Sequence, residues 1–587
     1  MCSNIMLVSN LVNPDGRAHS WATGAGATGG STAWKSPGHP DAQGLDRRPE
    51  SIGRCRGHGS IVPPRHAPVR GALFQPIRTG NTIMQRRTFI AVSGAIGAGL
   101  AQAKTGEAQE ATALSALPKE IWKWDATSTV AAIRAGKISS KDAVKAALSR
   151  IEAMNGTANA VVQTFEAEAL QAADAADNAR RRSASATGVL HGLPMTIKDN
   201  TDQRGKRTVN GMKNSQAQAA PEDSPVVHNL RAAGAIFIGR TNTPCLSSRW
   251  ETDNTAYGRT LNPWSPTRTP GGSTGGGGAA VAHGMGVIAH GNDIGGSVRY
   301  PAFCCGVAGI RPTSGRVPMF NPTAGVERSL CNQLFNVEGA LARSVRDLRL
   351  VLPVLSQGSA RDPLWTPTPA PLALPRALKV GLIKSSPGLF VHPSIASALD
   401  EAAQRLRAAG FEVEEITPPP IAETVALWAK MVFAELREAM PGFSAVADAD
   451  AVRANQLFLE VTAPISGKQY MDGIGEILAM RRQWAQFLER YPVLVGPNSG
   501  DLPFEHGFDL KGADATRHQI AAQALMVTVN LLGLPAVAVP TGKVGVADAP
   551  RGLPVGVQVI SPRFRDEWAL QVAQEIQQRG SGMATWA

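Results

Sequence analysis

A chain of 587 residues, 43% hydrophobic and 18% charged, with a mean hydropathy of −0.10, has the composition of a globular protein with a sizeable core, which excludes bulk disorder. The formal net charge of +12 does not mark a nucleic-acid binder: residues 1–103 carry 11 Lys and Arg against 4 Asp and Glu, and no basic helix or run of interleaved arginines and aromatics follows. Six cysteines without CxxC spacing form neither a disulfide framework nor a zinc site, and Cys245, Cys304, Cys305 and Cys331 read as small buried apolar residues.

Residues 1–83 are rich in Gly, Pro, Ser, Arg and His without periodicity, and are expected to be disordered. From Met84 the pattern changes. Arg86-Arg87-Thr88-Phe89-Ile90, an apolar run to Leu100 and Ala101-Gln102-Ala103 have the layout of a twin-arginine export signal, too short and too rich in Gly and Ala to be a stable membrane anchor. Such signals act from a true N-terminus. The simplest expectation is that translation starts at Met84, that 1–83 is an overextended gene start, that 84–103 is removed, and that 104–587 is one domain, periplasmic or secreted.

In the body, Ser139 or Ser140 caps a helix with Val144, Ala147, Leu148 and Ile151 on one face and a stop at Asn155-Gly156. Apolar β-branched runs at Ala235–Ile238, Val287–Ala289 and Ala536–Val539 read as strands buried on both faces, which requires helices above and below a sheet. A helix capped by Ser394, with Ile395, Leu399, Ala402 and Leu406 as its stripe, ends at Gly410 before a strand at Phe411–Ile416. Residues 418–491 are helical in pattern and interrupt the strand rhythm, as a cap or insertion near a pocket would. The class is α/β.

Three segments carry chemistry. Gly192-Leu193-Pro194-Met195-Thr196-Ile197-Lys198-Asp199-Asn200 sets a lysine at the end of an apolar stretch, with Asp199 turned to the opposite face of a strand. Pro270 to Ala280 holds six glycines around Ser273 and Thr274, which permits positive φ and close backbone approach. It lacks the lysine of a phosphate loop, and its formal match to a nucleophile elbow lacks the preceding strand; a plain flexible turn remains open. His290-Gly291-Asn292-Asp293-Ile294-Gly295-Gly296-Ser297-Val298-Arg299 follows a strand and presents backbone N–H groups beside a hydroxyl, the geometry of an oxyanion hole.

Together these segments resemble the amidase signature family, with its I-K-D-N lysine, Gly-Gly-Ser-Ser/Thr-Gly-Gly loop and D-I-G-G-S-x-R-x-P-A segment. The resemblance runs from about residue 118 to 575 through Gly239–Pro244, Asn262–Trp264, Gly309–Thr313, Gly533–Ala536 and Gly552–Gly556. It implies an α/β fold with a large mixed sheet covered by helices on both faces, and hydrolysis of a carboxylic amide through an acyl-enzyme. In that reading Ser297 is the nucleophile, Ser273 the bridging serine held by a cis peptide, and Lys198 the base. The N–H groups of Ile294, Gly295, Gly296 and Ser297 form the oxyanion hole, and Thr274, Asp293 and Arg299 brace the loops. Asn292 stands where threonine is frequent. No metal or organic cofactor is implied, and His290 reads as structural. The substrate is a small-molecule amide, with no nucleic-acid partner; the oligomeric state is open, a homodimer included. Substrate-choice walls are sought at Val209–Ser215, Leu246–Asp253 and Asn332–Val337.

Two other readings belong to the resemblance. Some family members are amidotransferase A-type subunits that release ammonia from glutamine for a tRNA-bound partner, which export would contradict; a catalytically inactive binding protein is the other. Export is testable directly: Arg86→Lys with Arg87→Lys should hold the protein in the cytoplasm and prevent processing near Lys104. Unchanged periplasmic recovery of the double variant in a fractionation would refute the signal.

Overall fold

The computed structural model describes residues 117–183, 187–375 and 378–580. The export signal and the stretch before it lie outside the described residues. Among the latter, eleven strands form one mixed sheet: β1 (Val161–Thr164), β2 (Pro194–Lys198), β3 (Ile236–Thr241), β4 (Ile288–Asn292), β5 (Ala308–Arg311), β6 (Glu338–Ala342), β7 (Lys379–Leu382), β8 (Glu412–Glu415), β9 (Val493–Pro497), β10 (Ala536–Val546) and β11 (Ala549–Ile560). Their spatial order is β1-β3-β2-β4-β6-β5-β10-β11-β9-β7-β8. Pairing is parallel from β3 through β2 to β4 and from β9 through β7 to β8, and antiparallel elsewhere.

Strand parity sorts the core into two layers, because successive side chains point to opposite faces. Phe237, Ile288, Val495, Val537 and Val559 meet Leu348, Leu399 and Leu570 of the helices Val345–Leu355, Pro393–Ala408 and Asp566–Gln578. Their neighbours in sequence turn the other way. Ile236, Ile238, Ala289 and Ala538 meet the helices Ser140–Ala158, Glu166–Arg182 and Gly275–His283, and Leu494, Ala536 and Ile560 meet Ile421–Val446 and Ala524–Leu532. The sheet is therefore covered on both sides, which is why its strands read as continuous apolar runs.

Local expectations differ from the structure mainly at element ends. Ser139 does cap the first helix, in a reciprocal capping box with Asp142, but the helix continues to Ala158 and stops at Asn159 in the left-handed conformation. Asn155 is no stop: its side-chain oxygen accepts from the N–H groups of Ala160 and Val161, tying the helix to the strand that follows. The second helix is capped by His392, whose ring nitrogen accepts from Ser394 N–H, and Pro393 fills its first turn. The segment after Gly410 yields a short, exposed edge strand, β8. Residues 418–491 are helical as expected, in Ile421–Val446, Ala449–Glu460 and Gly467–Arg490.

The glycine-rich loop is resolved differently from its simplest reading. Gly275 to Gly278 start the helix Gly275–His283, and the positive φ of the loop is at Gly271, φ 80°. What the helical glycines supply is closeness: a Cβ on Gly276 would lie 2.4 Å from Asn242 N and 2.7 Å from Ala160 O, and one on Gly278 3.0 Å from Pro301 O. The four cysteines of the described residues are buried. No helix among the described residues is long and apolar enough to cross a membrane.

Candidate active site

Lys198 ends β2. Met195 and Ile197 face the Leu348 layer, so parity turns Lys198 to the other face, that of the helix Gly275–His283. It is fully buried there. Nζ lies 2.8 Å from Ser273 Oγ and 2.9 Å from Asn292 Oδ1. Burial pushes its pKa down to about 7, with the carboxylates of Glu338 and then Asp293 opposing. Asp199 is no partner of this lysine: it sits 3.1 Å from Arg240 Nε, both side chains buried, and burial raises its carboxyl to about 6 against the pull of Arg240.

Ser273 follows a cis peptide from Gly272. Gly272 has no room for a side chain, since a Cβ would lie 2.5 Å from Arg249 O and 2.7 Å from Glu251 N. Next along the chain, Thr274 N donates to Ser297 O at 3.2 Å, lacing the two serine loops together. Thr274 braces through its backbone alone; its hydroxyl is buried and has no hydrogen-bond partner among the described residues. Ser297 is buried, and its hydroxyl makes no hydrogen bond to another described residue. Of the two links expected between the three side chains, Lys198 to Ser273 is formed and Ser273 to Ser297 is not; such bonds commonly tighten only around substrate.

The turn from Asp293 to Arg299 is built on a buried charge pair. Asp293 accepts from Arg299 Nε and Nη2, both at 3.0 Å, and from Asn530 Nδ2 at 2.9 Å. Burial works to raise its carboxyl, but the Arg299 charge and hydrogen bonds, with Arg311 and Asn530, hold it well below the usual carboxylate range. Arg299 also donates to Gln558 Oε1, Met526 O and Asn530 Oδ1. This corrects one expected donor: Gly296 N donates to Asp293 Oδ1 at 2.8 Å, so it shapes the turn and is not free for an oxyanion. The N–H groups of Ile294, Gly295 and Ser297 have no partner among the described residues.

Two indoles fix the direction of these peptides. Trp428 Nε1 donates to Ile294 O at 3.4 Å and Trp250 Nε1 to Gly295 O at 2.8 Å. In a trans peptide the N–H opposes the C=O, so pinning the Ile294 carbonyl on Trp428 turns Gly295 N–H away from it. Neither tryptophan, nor Asn530, was marked by a motif at the sequence level. Asn292 and Asn200 were visible inside motifs, but not as partners: Asn292 Nδ2 donates to Asn200 Oδ1 at 3.0 Å and Asn200 Nδ2 to Asn292 Oδ1 at 3.1 Å. The three segments considered as walls do converge here, through Trp250, through Asn210, whose Oδ1 accepts from Ser247, and through Val337, whose carbonyl accepts from Asp293 N–H.

Removing one charge of a buried pair strands the other. Asp293→Asn should therefore lower unfolding stability by about 3–5 kcal/mol, and Asp293→Leu combined with Arg299→Met should cost less than the sum of the two single changes. Urea denaturation of the wild type, the three single variants and the double variant measures this.

Comparison with known proteins agrees with the geometry. A family model described as Amidase matches residues 142–570. The indoleacetamide hydrolase of Bradyrhizobium diazoefficiens is 40% identical over 475 residues, spanning 79% of this chain and 88% of that protein. The 6-aminohexanoate-cyclic-dimer hydrolase of Paenarthrobacter ureafaciens is 31% identical over 508 residues, 78% of this chain and 95% of the relative. A solved 6-aminohexanoate cyclic dimer hydrolase complexed with substrate superposes with a TM-score of 0.65 at 28% identity, covering 78% of this chain and 97% of that one. The chain belongs to the amidase signature family.

Proposed function

We propose that this amidase, a hydrolase acting on C–N bonds other than peptide bonds, works through Lys198, Ser273 and Ser297, with Ser297 carrying the acyl group. The observation that carries the reading is a lysine amine withdrawn from water, 2.8 Å from the hydroxyl of Ser273 and beside a turn that leaves three N–H groups uncommitted. An unperturbed lysine, with a pKa of about 10.4, would be neutral in only a few molecules per ten thousand near pH 7. With a pKa of about 7, roughly half of Lys198 is neutral there. Asn292 Oδ1 takes one of its N–H groups, and once the amine is neutral its lone pair can turn to Ser273 Oγ, 2.8 Å away.

Lys198 Nζ accepts the Ser273 proton as Ser273 Oγ accepts that of Ser297, and Ser297 Oγ bonds to the amide carbon. The carbonyl oxygen, now negative, takes hydrogen bonds from the N–H groups of Ile294, Gly295 and Ser297. The proton returns through Ser273 to the amide nitrogen, the C–N bond breaks, and ammonia or an amine leaves an ester on Ser297. Water attacks that ester by the reverse relay and releases the acid.

This reading predicts that kcat/KM rises with pH through neutrality to an alkaline plateau, because deprotonation of Lys198 creates the base. Lys198→Ala should cost at least about a thousandfold while the protein stays folded, and a fluorophosphonate should label Ser297. Label on Ser273, or near-normal turnover without the lysine, would overturn it.

The substrate we infer is the primary amide of an aromatic or apolar acid, acted on in the periplasm after export. Two observations support the acyl group: the 40% identity to an indoleacetamide hydrolase, and the buried Trp250, Trp428, Phe335 and Met526 in the core around the Ser297 turn. In an amide panel, indole-3-acetamide and phenylacetamide should exceed glutamine and the 6-aminohexanoate cyclic dimer by at least about tenfold in kcat/KM, the range an apolar pocket supplies. The reverse order would reject the substrate class and leave the serine-lysine reading untouched.

A further inference from the structure

We propose that the buried pair of Glu338 and His290 is a positioning device that sets the pH at which Lys198 becomes a base. The proposal rests on the reading of Lys198 given above. Its geometry begins at Asn292, the acceptor for Lys198 Nζ. Asn292 and Asn200 hold each other by two reciprocal amide hydrogen bonds, so the Asn292 carbonyl oxygen is fixed toward the lysine. Across the ladder, Asn292 on β4 is directly opposite Glu338 on β6. Two residues back on β4, His290 Nε2 lies 2.9 Å from Glu338 Oε2, with both side chains buried. The other ring nitrogen of His290 is buried without a hydrogen-bond partner among the described residues, so the ring proton belongs on Nε2, where the carboxylate receives it.

The charges around Lys198 are unequal in what they have left to give. Asp293 is spent on Arg299 and lies near Arg311; Asp199 is paired with Arg240 across the strand. Glu338 has no lysine or arginine within ion-pair distance among the described residues, and its partner is His290. Glu338 lines a cavity of about 350 Å³ with Asn292, Asn200, Glu327 and Arg328, and Arg328 donates to Met319 O. The helix Gly275–His283, packed on the same face as Lys198, carries only His283, at its far end. Glu338, hydrogen-bonded to His290 and with the Arg328 charge acting on it from the same cavity, is thus the carboxylate facing Lys198 that no lysine or arginine among the described residues pairs with directly. It favours the ammonium form of Lys198 and opposes burial, which keeps the amine basic enough to hold the proton it takes.

The consequence is opposite in sign to that of ordinary damage. Glu338→Gln keeps the shape and an acceptor for His290 but removes the charge, so the acidic limb of kcat/KM should move down by about one pH unit, the lower end of what a neighbouring opposite charge does. Activity at pH 6, taken relative to the alkaline plateau, should rise several-fold, and Glu338→Asp should retain the original limb. A role in folding or packing alone would lower the plateau without moving the limb. A limb that stays in place in folded Glu338→Gln overturns the proposal and spares the Lys198 reading; that reading fails separately if Lys198→Ala retains activity. If the Gln variant does not fold, Glu338→Ala assayed with formate serves instead. Formate entering the vacated space should carry the limb back up, and a limb indifferent to saturating formate overturns the proposal.

Discussion

Asp293 and Arg299 are both withdrawn completely from water, and two desolvated charges are tolerated only when each other polar atom around them is satisfied. Here they are: Gln558 from β11, Asn530 and the Met526 carbonyl from the helix Ala524–Leu532, and the Gly296 amide complete the set. The turn that presents Ser297 has one geometry because the pair at its base has one. The supports from Gln558, Met526 and Asn530 come from more than 200 residues further along the chain, so the turn has its full set of partners only with the sheet and its outer helices in place. Local sequence makes the turn possible; tertiary closure makes it specific.

The same layering explains why a lysine lies against the serine loops and a histidine does not. Parity on β2 sends Lys198 toward the helix Gly275–His283, while parity on β4 sends Ile288, His290 and Asn292 to the other face, from which Asn292, at the strand end, is the residue that reaches Lys198. A lysine on that dry face, with hydroxyl and amide acceptors and no carboxylate directly bonded to it, has little to hold its proton. Asp199 next to it is engaged by Arg240. The chemistry follows from which face of which strand a residue occupies, more than from residue type.

Much of this was legible in the sequence. The apolar run before Lys198, the two small-residue loops and the helical stretch from 418 to 491 each have a local signature, and the resemblance among them orders the parts. What was not legible depends on distant partners. Nothing near Gly296 says that its N–H is taken by Asp293, since that follows from how the turn folds back on itself. Nothing near Thr274 says that its hydroxyl goes unused while its N–H does the bracing. Asn292 reads as a mild departure at a threonine position, yet its longer side chain is what reaches Lys198 Nζ and pairs with Asn200. Helix ends failed for a related reason: Asn155 and Ser394 have the right chemistry for stop and cap, but the backbone uses Asn159 and His392.

Trp428 joins two parts of the molecule that would otherwise be separable. It belongs to the helix Ile421–Val446, in the region most easily imagined as an interchangeable wall, yet its indole holds the carbonyl of Ile294. Trp250, which holds the next carbonyl, meets Phe458 of the following helix edge to face at 5.6 Å. Swapping the helical segment from a relative would therefore exchange scaffold along with lining. In this architecture lining and frame are not modular: a graft that redraws the one also retunes the turn that holds Ser297, and engineered changes of one are obliged to evolve with the other.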